Sequence, residues 1–316
     1  AASCTLALLE QYVPNQGDLD GRVRDLLQRL YDEYFAAGSG EVWREDPGQI
    51  GFMGLVDQVG ARIAALHAAL ADGADQHGNA SDAFRPEPMA AADHQRLRDD
   101  LHAAAGGALS ALRDGRERRR AAAVDAADRL LAAEAELRRR IDDLSRHGFG
   151  PMRCRLHGDL RLARVLVAQD EPVFIGAGGP AHRPPAERHA KRPPLTDLAA
   201  LICDLHTNVA DIQQGMRTEH PDLHPRLVEP LATWRQETIQ RLLAAHAAAA
   251  EGSPLLAADP AQRAQTAQAL ALGCALDGLA AALAAHPPAP GVKIAAAADA
   301  VLSLLHDAAA SVPPAS

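Results

Sequence analysis

Apolar residues recur every three or four positions along nearly the whole chain, and the pattern breaks once, between Gly148 and Ile175. An α-helix turns every 3.6 residues, so this spacing gathers apolar side chains on one face that must be buried against other helices. Val23, Leu26, Leu27, Leu30, Tyr31 and Tyr34 predict a first helix, with Asp18 and Asp20 available as caps. Val56, Val59, Ile63, Leu66 and Leu70 predict a second from about Met53, stopping at Gly73. Asp75 to Pro88 reads as a loop, and two further helices are expected over about 91–113 and 116–147. The charged clusters Arg118–Arg120 and Arg138–Arg140 interleave with Asp128, Glu134, Glu136 and Asp142, the pattern of a solvated, ion-paired face. Helices near 195–214, 226–250, 260–285 and 290–311 follow. About 70 of the 316 residues are alanine and only 3% are aromatic, so the helices should meet through small side chains.

The break opens at Gly148-Phe149-Gly150-Pro151. Three runs of strand length follow, Met152–Leu156, Val165–Ala168 and Val173–Ile175, the last two joined by the turn Gln169-Asp170-Glu171-Pro172. The expected fold class is mainly α with one small β-hairpin, an α+β arrangement. Residues 1–150 form its first helical part, and 151–316 carry the hairpin and the remaining helices of the same lobe.

Charge narrows the function. A net charge of -9 and a pI near 5.8 oppose nucleic-acid binding, which needs a basic face. No apolar run approaches the ~20 residues that span a bilayer, so neither nucleic acid nor membrane is an expected partner. Cys4, Cys154, Cys203 and Cys274 are scattered without a CxxC pair, as buried thiols of a reducing cytoplasm are. The opening Ala1-Ala2-Ser3 lacks Met, as expected of a processed or excised piece of a longer protein.

Polar chemistry collects in the broken stretch, at His157-Gly158-Asp159, Arg161 and Arg164. Glycine permits a sharp turn that thrusts Asp159 from a strand end, where it can accept a proton from a substrate hydroxyl. In kinase-type phosphoryl transfer such an Asp is followed five residues later by an Asn or Gln on Mg²⁺. A second Asp at the end of the next strand then holds the metal against the phosphates.

Arg155-Leu156-His157-Gly158-Asp159-Leu160, with Leu162 and Val165-Leu166, resembles the catalytic loop of bacterial maltokinases. These are aminoglycoside-phosphotransferase-like enzymes often fused to trehalose synthase. Arg183-Pro184, Ala186-Glu187-Arg188, Ala190-Lys191-Arg192, Pro194-Leu195, Asp197 and Ala199 resemble the family's segment after its metal-binding strand. Thr5 to Leu9, Val13 to Asp18, Leu66-His67-Ala69-Leu70 and Phe84-Pro86-Glu87-Pro88 match further upstream. The resemblance implies a protein-kinase-like carboxy-terminal lobe and transfer of the ATP γ-phosphoryl to maltose, giving maltose 1-phosphate for α-glucan synthesis. It implies ATP and Mg²⁺ as cofactors, maltose or a related sugar as ligand, and a trehalose synthase module or a missing amino-terminal lobe as partner. By position Asp159 matches the catalytic base, beside His157, and Asp197 the helix residue that braces the loop.

The chain departs from that pattern in four places. Arg164 stands for the family's Gln or Asn, and Gly176-Ala177-Gly178 for its Asp-Phe-Glu. Arg161 replaces a His, and Leu19-Asp20 stands where a Trp is expected. Mg²⁺ needs hard oxygen ligands, which glycine side chains and a guanidinium do not offer. A fixed cation at Arg164 can contact phosphate but cannot bridge two phosphates as an octahedral ion does. Kinases also carry a Gly-rich loop and a strand lysine in an amino-terminal lobe. Here the two lysines, Lys191 and Lys293, both follow the loop, and no segment before residue 150 reads as a sheet. The expectation is a pseudokinase-like lobe, inactive alone and serving a structural or interaction role in trehalose metabolism. The alternative is an active sugar kinase using Asp159 with altered metal binding.

Three other features invite chemistry. Gly176-Ala177-Gly178-Gly179 lacks the GxGxxG spacing, and Pro180, Pro184 and Pro185 oppose a helix opening there. His220 and His224 are four apart, but Pro221 and Pro225 interrupt a helix, so a polar loop is preferred to zinc. Cys154 reads as a buried strand thiol rather than a nucleophile.

Overall fold

The computed structural model describes residues 12–37, 46–73, 82–114, 121–179, 184–222, 224–285 and 289–307. In chain order these form α1 (Leu19–Ala37), α2 (Pro47–Asp72), β1 (Glu87–Pro88), α3 (Ala91–Asp114), α4 (Ala121–Ala132) and α5 (Glu134–Ser145). There follow β2 (Met152–Arg153), a one-turn 3-10 helix at Leu162–Arg164, β3 (Val165–Ala168), β4 (Glu171–Phe174) and α6 (Pro185–Arg188). Four long helices complete the chain: α7 (Leu195–Glu219), α8 (His224–Ala249), α9 (Pro260–Ala284) and α10 (Gly291–His306).

Helix α7 lies at the centre, packed by α8, α9 and α10, and its Leu198, Leu201, Ile202, Leu205 and Val209 are buried. The alanine excess works where helices cross. Ala264, Ala267 and Ala271 of α9 and Ala295, Ala298 and Ala300 of α10 are buried, and a methyl side chain lets two backbones approach without losing rotamers. Gly60 marks a close crossing of α2 and α8. A Cβ there would stand 2.7 Å from the Leu242 carbonyl oxygen of α8.

The hairpin forms, but with a tighter turn than read: Glu171 and Pro172 belong to the second strand, with Val165 opposite Phe174 and Ala168 opposite Glu171, and Ile175 lies beyond it. Gln169 and Asp170 both take positive φ, 52° and 61°, the conformation of a tight two-residue turn matched to strand twist. The lead into α1 docks on it: Gln16 N–H donates to the Val167 carbonyl and Val167 N–H to that of Gly17. Asp18 caps α1 through the Gly21 amide, whereas Asp20 bonds Asn208 and Arg24.

Several expectations need correction. The first of the three strand-like runs pairs not with the hairpin but with Glu87–Pro88, at the end of the presumed loop. Lys191 holds that segment through Glu87 Oε1 and the Asp82 carbonyl, and Lys293 pairs with Asp211. The long helix expected over 116–147 is two helices, broken at Ala133, with Glu134 held by Arg113 and Arg138. Arg140 leaves the solvated face to donate to Gln268 Oε1 and the Asp307 carbonyl. Helix α2 starts earlier than Met53, because Asp46 caps it and Pro47 suits the first helical position. Pro225 likewise sits in the first turn of α8, where its missing N–H leaves no bond unmade. The first five residues of the resemblance (Thr5–Leu9), Cys4, Arg118–Arg120, Pro180 and Arg183 lie outside the described residues.

Helix α9 is, among the described residues, long and apolar enough to cross a membrane by length and composition, where the sequence reading found no such run. Its buried positions pack on α3, α5, α7 and α10, the contacts of a core helix.

Candidate functional site

His157-Gly158-Asp159 forms the loop between β2 and the 3-10 helix. Gly158 takes φ 83°, and a Cβ there would meet the Gly179 Cα at 3.3 Å, so the turn requires glycine. Asp197, in the first turn of α7 and 1% exposed, holds this loop from behind. Its Oδ2 accepts the His157 amide and its Oδ1 the Gly158 amide, both at 3.0 Å. A carboxylate there also suits the positive end of the helix. His67 of α2 adds a third bond, Nε2 to Asp197 Oδ2 at 3.0 Å.

His157 is buried and faces away from the cleft. Its Nε2 donates to the Ile175 carbonyl and its Nδ1 accepts the Asp159 amide. Its own carbonyl accepts the Gly178 and Gly179 amides at 3.0 and 3.2 Å. The loop is thus tied to the exit of β4, and two amides of the glycine run are engaged rather than presented to a phosphate. Contrary to expectation, a short helix does open after this run, at Pro185.

Asp159 projects toward an open cleft of about 1230 Å³. Arg164 Nη2 stands 3.4 Å from Asp159 Oδ2, and the two form an ion pair. Arg164 also lies over Gly176: a Cβ built there would sit 2.5 Å from Nη1. One guanidinium therefore fills the space that a side chain at 176 would need.

Mg²⁺ does not fit this arrangement. The position beside Asp159 already holds a cation, Gly176 and Gly178 offer no side-chain oxygen, and a divalent ion would have to compete with the Arg164 guanidinium for the one carboxylate there. Among the described residues no cluster of three His, Cys, Asp or Glu side chains could hold a metal. His224 accepts from Arg217 and the His220 ring lies against Tyr31, so the histidine pair is committed to other contacts.

Arg161 is anchored on Asp204 through two nitrogens, and Asp204 Oδ2 also accepts the Leu162 amide at 2.9 Å. Burial pushes Asp204 above the usual carboxylate range, against the pull of Arg161 and that amide. Burial alone would lower the Arg161 guanidinium, and Asp204 outweighs it and raises it. Sequence reasoning missed Asp204, although it stands seven residues after Asp197 in α7, on the same face two turns on. It assigned no role to His67, whose partner is 130 residues away. Cys154 is fully buried and its thiol is pushed up to about 12 by burial, as a structural thiol is.

Two helix faces close the other side of the cleft. Leu97, Asp100, Leu101 and Ala104 of α3 line it at helical spacing, as do Leu270, Cys274, Asp277 and Ala281 of α9. Its loop side carries Arg155, Arg164 and Arg188.

No protein-family model and no curated protein sequence matches the chain. Its fold does match solved structures of glucosamine kinase. One, in complex with glucosamine, ADP and inorganic phosphate, superposes with a TM-score of 0.62 at 18% identity over 94% of this chain and 59% of that one. Two other crystal forms give TM-scores of 0.62 and 0.63 at 19% identity, covering 93% and 94% of this chain. The chain spans about three-fifths of the length of these structures. It has the kinase-like fold of these sugar kinases, mainly helical with small antiparallel sheets.

Proposed function

We propose that the chain is the acceptor-binding lobe of a sugar-kinase-like phosphotransferase, in which Arg164 has taken over the place of the metal. Asp159 keeps the position of a base that would receive the proton of a sugar hydroxyl. Arg164 neutralises that carboxylate and excludes a divalent cation, so the lobe holds a sugar without metal-dependent phosphoryl transfer. The observation that carries this reading is the contact of one guanidinium with both Asp159 and the space above Gly176.

Maltose is the sugar implied by the resemblance of the catalytic loop, and glucosamine the one bound in a similar fold. An amino sugar suits this reading best: Asp100 and Asp277 on the helical wall suit an ammonium group, while Arg155, Arg164 and Arg188 lie on the loop side and Arg161 reaches across to Cys274. A trehalose synthase module as partner rests on the resemblance alone.

Calorimetric titration with glucosamine, glucose and maltose tests the reading, alongside a phosphoryl-transfer assay with ATP and Mg²⁺. The expected result is glucosamine binding that weakens in Asp100→Asn, without sugar phosphate formed. Sugar phosphate whose formation is abolished by Asp159→Asn would favour the active-kinase alternative, with Asp159 as base. No binding of any of the three sugars would sink the acceptor-site reading.

A further inference from the structure

Two thiols meet at the cleft wall. Cys203 of α7 is buried, while Cys274 of α9 is half-buried and lines the cleft. Cys203 and Cys274 are neighbours where α7 packs along α9. Arg161 Nη1 donates to Cys274 Sγ at 3.2 Å, and Arg161 is held in place by Asp204. A thiol beside a fixed guanidinium, open to solvent on one side, is the setting that favours a reactive thiolate. Contact with Cys203, and then the Arg161 charge, hold Cys274 below the ordinary thiol range against the effect of burial. Position separates the two sulfurs: Cys274 faces the cleft and Arg161, so a reagent meets it first, while Cys203 lies buried behind it.

We propose that Cys274 is a site of oxidation by hydroperoxides, with Cys203 as the resolving thiol that closes a disulfide between α7 and α9. In the first step the Cys274 sulfur attacks one peroxide oxygen, so that an S–O bond forms and the O–O bond breaks. The sulfur is oxidised to a sulfenic acid, and the other oxygen leaves as hydroxide, or as the alcohol of an organic peroxide after taking up a proton. In the second step the Cys203 sulfur attacks Cys274. The S–S bond forms, the S–O bond breaks, and the hydroxyl departs with the Cys203 proton as water. The product withdraws the thiolate acceptor from Arg161 and ties two core helices together beside the cleft. The chemistry needs no assumption about the sugar.

The test uses the full chain with hydrogen peroxide, followed by peptide mapping in a mass spectrometer. The expected product is a Cys203–Cys274 linked peptide, with Cys154 remaining a thiol. Cys203→Ala should instead give a sulfenic acid at Cys274 that dimedone traps, and Cys274→Ala should give neither product. Alkylation of the unmodified protein by iodoacetamide needs no variant, and Cys274 should react at least about tenfold faster than Cys154. The proposal is overturned if the two cysteines alkylate at equal rates. It is also overturned if peroxide leaves Cys274 reduced, or links it to a cysteine other than Cys203.

Discussion

The guanidinium of Arg164 occupies the place of a side chain at position 176. Its Nη1 stands 2.5 Å from where a Gly176 Cβ would lie, and its Nη2 reaches Asp159 Oδ2 at 3.4 Å. As placed, the arginine at 164 and a side chain at 176 exclude each other. The obstacle at 176 is the far end of a flexible side chain, so shortening residue 164 clears it. The positive φ of 71° at Gly176 remains, but Asp tolerates that region better than most residues.

Asp197 is the residue on which the loop depends. Asp197→Ala would leave the buried His157 amide, the Gly158 amide and His67 Nε2 without their acceptor. A loss of about 3 kcal/mol is expected in urea unfolding, by the usual cost of orphaned buried donors to a charged group. Asp197→Asn retains one oxygen acceptor and should lose less.

Gly60 and Gly106 are both helical glycines with opposite surroundings. A Cβ at Gly60 would collide with the Leu242 carbonyl, the Ala245 Cβ and the His246 amide, whereas one at Gly106 meets nothing within 4 Å. Gly60→Ala should destabilise by about 1–3 kcal/mol through forced separation of α2 and α8. Gly106→Ala should gain up to about 1 kcal/mol from helix propensity. Thermal melts of the two variants should move in opposite directions.

His246 makes stability sensitive to acid. Burial, then the neighbouring His67, lowers its pKa from 6.5 to about 3. The unfolded chain therefore binds a proton below pH 6.5 that the folded chain refuses until about pH 3. Stability is full above that window and falls as pH drops through it, by about 1.4 kcal/mol per pH unit for this group. His246→Gln should flatten the decline by that slope in denaturant titrations between pH 6 and 4. An unchanged slope would mean that His246 ionises normally in the folded state.

Much of the helical frame was legible because periodicity reports which face a helix buries, as in α1 and α2. What the sequence hid were events without a local signal. The break at Ala133 involves neither Gly nor Pro, and the β1–β2 pair is two residues long and joins Glu87 to Arg153, 66 residues apart. At the site, the spacing of Asp159 and Arg164 and the glycines after β4 were readable one residue at a time. Their mutual contact was not, because it depends on how the hairpin folds the two ends of β3 and β4 together. His67 and the α3 and α9 walls come from distant parts of the chain, and only packing brings them to the loop.

The most direct measurement is Mn²⁺ binding, followed by electron paramagnetic resonance, in the native chain and in a triple variant carrying Arg164→Gln, Gly176→Asp and Gly178→Glu. If Arg164 has displaced the metal, the native chain leaves Mn²⁺ free and the triple variant binds it, with binding lost again when Arg164 is restored. Mn²⁺ binding by the native chain, abolished by Asp159→Asn, would contradict the account.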